Sequence, residues 1–62
     1  MGQVVGYKVF GKLNGRGHRT YLESIYLDED ADGIEQKRTE RIYRSFRGDY
    51  IIGDNDIVPI YA

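Results

Sequence analysis

The sequence predicts an α+β domain in which one helix packs on one face of a small antiparallel sheet of 3–4 strands, in the order β-β-α-β-β. Three observations carry that prediction. Residues 3–13 and 19–27 alternate apolar and polar around an Asn14-Gly15-Arg16-Gly17 turn. Residues 33–47 carry apolar side chains at helical spacing between an aspartate and a glycine. Residues 50–53 and 57–62 are short apolar runs separated by Asp54-Asn55-Asp56.

In the first run Val5, Tyr7, Val9 and Leu13 share a face, while Lys8 and Lys12 share the other with Val4 and Phe10. The Asn-Gly turn tolerates positive φ and joins this strand to the second as an antiparallel hairpin. In the second run Tyr21, Ile25 and Leu27 fall on one face, Leu22 and Tyr26 on the other. The helix over 33–47 has Asp32 as N-cap, Glu35 in the capping-box position and Gly48 as the stop. At about 100° per residue, Ile34, Ile42, Tyr43 and Phe46 cover one broad half of its wheel and Lys37, Arg41, Arg44 and Arg47 the other. The competing reading makes 33–47 a long strand after an Asp32-Gly33 hairpin turn, which turns the chain into an all-β barrel of five strands. Pro59 marks the last strand as an edge, because proline cannot donate to a ladder.

The 62 residues make a single domain, 1–62. At this length a fold buries only about 60% of the surface its unfolded chain exposes, so a partner or a second copy would help it. No cysteine is present, which excludes disulfides and thiolate metal sites and fits a reducing compartment. A formal net charge of −1 excludes a global field for nucleic acid, and no apolar run is long enough for a membrane helix. The N-terminal residues lack the layout of a signal peptide, so the expected location is cytoplasmic.

Asp28, Asp30, Asp32 and Gly33 match the first half of a calcium loop, where carboxylates at alternate positions converge on a hard cation. The pattern then departs: its closing position holds Thr39, with Glu40 one residue late, and a strand rather than a helix precedes it. Acidic residues at a helix start are the simpler reading. Catalysis is not expected, since the only histidine, His18, sits in a turn and the paired carboxylates, Asp28–Asp32 and Asp54 with Asp56, lie in turns too. No cofactor is expected either. Arg47-Gly48-Asp49 spells an adhesion tripeptide, but three residues match by chance and Gly48 has a structural role.

Two binding readings remain. The turn residues Arg16, His18 and Arg19, with Lys37, Arg41 and Arg44 on the helix, could track a nucleic-acid backbone. The leading reading is a protein-binding surface. If Val5, Tyr7, Val9, Leu13, Tyr21, Ile25 and Leu27 meet Ile34, Ile42 and Phe46, then Val4, Phe10, Leu22 and Tyr26 face elsewhere. Such a patch marks a contact site or a homodimer interface, and six tyrosines point the same way. Phe10, Leu22 and Tyr26, with Asp28 and Asp30 as an acidic edge for a basic partner, are the residues expected to carry it. In build, small, cysteine-free, charged and tyrosine-rich, the chain resembles the inhibitors and adaptors that phages encode against host proteins; in a phage the site of action would be the host cytoplasm.

Overall fold

A computed structural model describes residues 2–62. The chain runs β1 (Val4–Leu13), β2 (Thr20–Tyr26), α1 (Leu27–Glu40), β3 (Ile42–Ser45), β4 (Gly48–Ile51) and β5 (Ile57–Tyr61), an α+β fold with a five-stranded antiparallel sheet. The long strand β1 is shared. β2 pairs along one edge, from Gly6↔Tyr26 to Gly11↔Thr20. The other edge is divided between β5, opposite Val4 to Val9, and β4, opposite Lys12 and Leu13. Between these two partners the Phe10 amide donates to the Asp56 carbonyl at 2.8 Å. A strand that changes partner midway curls the sheet, and α1 closes its inner face.

The segment 33–47 is neither all helix nor one long strand. α1 follows β2 without a loop, and Tyr26 is its N-cap, with no side-chain cap bond. Asp30 breaks the first turn at φ −155°, ψ 67°, and its Oδ1 accepts the Gly33 amide at 3.0 Å. Asp30, not Asp32, therefore caps the longer helical piece, because only its carboxylate reaches the free amide three residues on. The helix stops at Glu40, where Arg41 turns left-handed at φ 57° and donates its amide to the Lys37 carbonyl at 3.0 Å. Past that point Ile42 pairs with Ile51 and Tyr43 with Tyr50, the two tyrosine rings meeting edge to face at 6.4 Å. A continued helix would forgo these cross-strand pairs. Gly48, expected as the helix stop, instead follows the β3–β4 turn with φ 132°.

The core is Val9, Ile25, Ile34 and Ile52, with Tyr7, Leu22, Tyr43 and Ile57 packed around it. One irregularity reassigns the faces of β2. The β1–β2 register runs Val9↔Glu23 and then Phe10↔Tyr21, leaving Leu22 as the extra residue of a bulge. An inserted residue inverts alternation beyond it. Tyr21 is thereby moved to the outer face opposite Phe10, and Leu22 is turned inward over Gly11. Phe46, expected inside, is 96% exposed on the β3–β4 turn, and Leu27 is 41% exposed.

The helix meets the sheet with fewer apolar groups than its wheel implied. Ile34 is its one buried residue. Beside it Lys37 lies with Nζ 5.3 Å from the Tyr43 ring centre and 3.6 Å from Glu23, and Arg38 lies 4.8 Å from the centre of the Tyr7 ring. The alkyl stems of these cations cover apolar surface while their heads pair at the rim.

Candidate functional site

The residues singled out for protein binding divide. Phe10 is half-buried beneath an aromatic and a cation: the Tyr21 ring meets it edge to face at 5.8 Å, and the Arg19 guanidinium lies 4.1 Å from its centre. Arg19 also donates from Nε to Asp56 Oδ1 and from Nη2 to the Asn55 carbonyl, each at 2.9 Å. Arg19 is thus a clamp that ties the hairpin to the loop before β5. Leu22 belongs to the core margin. Tyr26 lies opposite Gly6, four residues along β1 from Phe10, or about 13 Å. Phe10, Leu22 and Tyr26 do not form one surface.

Tyr26 does join Asp28, through neighbours that alternation did not bring together. An open groove of about 510 Å³ is lined by Gln3, Val4, Val5, Tyr26, Leu27 and Asp28. It forms because β1 starts where β2 runs directly into α1. The rings of Tyr26 and Tyr61 and the Leu27 side chain stay partly exposed around it, at 39%, 60% and 41%. Asp28, Glu29, Asp30 and Asp32 lie exposed in the first turns of α1. Among the described residues no cation pairs with any of the four. This end of the molecule offers an apolar floor with an acidic rim. The sequence held a signal for it in Tyr26-Leu27 immediately before the acidic run.

Of the six residues expected to track a nucleic-acid backbone, three are engaged in ion pairs. Lys37 pairs with Glu23, Arg41 with Asp54 and Arg19 with Asp56. The Arg41–Asp54 pair lines a smaller hollow of about 290 Å³ at the end of α1. Arg38 pairs with Glu35, and its pKa is raised above its ordinary value, chiefly by a side-chain hydrogen bond to Tyr7, with burial opposing. Arg44 lies on β3 across from Asp49, apart from the helix. The stripe fails because its period assumed helix through residue 47.

Arg16 and His18 are brought together with a residue the basic stripe did not include. The tip of the β1–β2 hairpin lies beside the β3–β4 turn, and an open groove of about 630 Å³ between them is lined by Leu13, Asn14, Arg16, Gly17, His18, Thr20, Arg47 and Tyr50. The signal for this second turn was Ser45 and Gly48 at its first and fourth positions, a common turn pairing.

The acidic run does not gather as a calcium loop. Asp28 and Asp32 lie on helical turns and Asp30 is engaged with Gly33, so alternate residues point apart instead of converging. Among the described residues no group of three or more histidine or carboxylate side chains is placed to hold a metal ion. Nor is any helix among them long and apolar enough to cross a membrane. No family model, curated protein or solved structure matches this chain.

Proposed function

We propose that this chain is a non-catalytic protein-binding module that acts by covering a surface of its partner, in the manner of a phage-type inhibitor or adaptor in the cytoplasm. The observation that carries the reading is the apolar groove at Val4, Val5, Tyr26 and Leu27 beneath the acidic start of α1. Exposed apolar side chains rimmed by charge are characteristic of contact surfaces, and tyrosine is enriched in them. Charge complementarity specifies the partner: a protein surface with an apolar anchor flanked by lysine or arginine. The carboxylates would speed its approach and the apolar floor would retain it.

Leu27→Asp tests this without disturbing the fold, since Leu27 is partly exposed and an acid suits the first helical turn. Immobilised wild-type and variant chains are compared for capture from cell lysate, with sedimentation velocity run on each. A protein held by the wild type and lost with Leu27→Asp supports the reading. Capture that ignores the substitution rejects it. A concentration-dependent dimer dissociated by Leu27→Asp would make the partner a second copy of the chain.

A further inference from the structure

The groove at the opposite end of β1 has different chemistry. Arg16, His18 and Arg47 line it together with the polar side chains of Asn14 and Thr20 and the ring of Tyr50. Among the described residues, none of the three basic side chains enters an ion pair, whereas Arg19, Lys37, Arg38 and Arg41 all do. The two tips are fixed to each other through the backbone, the Asn14 amide donating to the Asp49 carbonyl at 2.7 Å. Phe46 stands at the end of the β3–β4 turn, 96% exposed, with the Arg47 guanidinium 5.8 Å from its ring centre.

We propose that this groove binds a single-stranded nucleic acid, with Arg16 and Arg47 on successive phosphates and a base stacked on Phe46. A free aromatic face beside unpaired cations is what an unstacked strand requires. A large exposed phenylalanine is otherwise unfavourable in water, and at 96% exposure its ring stays open to a ligand, with the Arg47 guanidinium beside it. The paired bases of a duplex keep their faces inside the stack, so Phe46 favours a single strand over a duplex. The formal net charge of −1 does not oppose this, because four carboxylates without ion pairs among the described residues, Asp28, Glu29, Asp30 and Asp32, lie at the start of α1, by the other end of β1. The site is independent of the protein-binding groove, and either can fail without the other.

Fluorescence anisotropy on the full chain tests it, with labelled single-stranded RNA and DNA of about a dozen nucleotides, the matching duplex, and poly-glutamate as competitor. Two phosphate contacts predict affinity for the strand falling about sevenfold between about 50 and about 200 mM salt. Arg16→Ala and Arg47→Ala should each weaken binding and flatten that salt dependence. Phe46→Ala should weaken it about tenfold at either salt and leave the dependence unchanged. Lys8→Ala, on the outer face of β1, should change neither. Circular dichroism confirms that each variant stays folded. Absent binding, equal affinity for duplex, indifference to Phe46→Ala or displacement by poly-glutamate as effective as by the strand itself would each overturn the proposal.

Discussion

At its N-terminal end β1 lies opposite Tyr26, beside an apolar groove and the acidic start of α1. At its other end, about 30 Å away, it reaches two hairpin tips that carry Arg16, His18 and Arg47. Their backbones differ as well. Near the acidic end Gly6 is buried, and a Cβ there would stand 2.6 Å from the Ile25 carbonyl oxygen and 3.0 Å from Tyr26. This glycine is needed because the strands and the Tyr26 ring come too close for a side chain. At the basic end Gly48 has φ 132°, and a Cβ there would meet nothing nearer than 3.4 Å. This glycine is needed because of its backbone angle, not for space. The contrast teaches that a near-zero net charge can conceal two separate surfaces, each resting on its own local constraint.

Gly6→Ala is the most severe way to break the contrast. The clash is with backbone atoms of β2, which move only if the pair separates. The expected cost is about 3 kcal/mol, the upper part of the range for overpacking. Urea unfolding followed by circular dichroism reads it. Because Tyr26 sits on Gly6, the same change should displace the tyrosine and weaken any contact at the apolar groove while leaving the tips intact. An unchanged unfolding midpoint would show that the close approach is relaxed in solution.

Gly48→Ala should cost less, about 1–2 kcal/mol, since only the strained angle opposes it. In a chain this short that lowers Tm by several degrees. Its effect should be confined to the basic end, where the Phe46–Arg47 turn would reopen. If Gly48→Ala proved the costlier of the two, conformational strain rather than crowding would be the stronger constraint in this fold.

How much of this was legible in the sequence depends on the range of the interactions. The hairpin of β1 and β2 follows from alternation and an Asn-Gly turn, both local. The existence of one helix was legible as well, although its limits were not. Asp32 and Glu35 compose a plausible cap, but Asp30 lies nearer the end of β2 and reaches Gly33 first. Ile42 and Tyr43 fit a helical wheel as well as a strand, and only their pairing with Ile51 and Tyr50 across the β3–β4 turn, outside the helical pattern, decides between them. The bulge at Leu22 has no local signature and reversed the faces of Tyr21 and Leu22. Both errors displaced candidate sites. The basic stripe dissolved once residues 42–45 became a strand, and the aromatic patch dispersed once Leu22 turned inward. Tyr26 and Asp28 kept their surface positions because they lie at the junction of β2 and α1, and Arg16 and His18 because they lie in the β1–β2 turn.

The smallest predicted effect separates surface charge from structure within the acidic rim. Replacing Asp28 or Asp30 by alanine removes one carboxylate from the acidic start of α1, yet only Asp30 also accepts the Gly33 amide. Asp30→Ala should therefore cost about 1 kcal/mol, the usual loss for a helix cap. Asp28→Ala should stay within about 0.5 kcal/mol, as an exposed substitution. Asp30→Asn completes the comparison, because asparagine caps as well as aspartate and carries no charge. If the proposed basic partner recognises the rim through charge, Asp28→Ala and Asp30→Asn should weaken its binding to a similar degree with the melting curve of each almost unmoved. A partner affinity that instead followed the melting temperature across the three variants would assign the rim to holding the helix start in place, and the apolar groove alone would carry recognition.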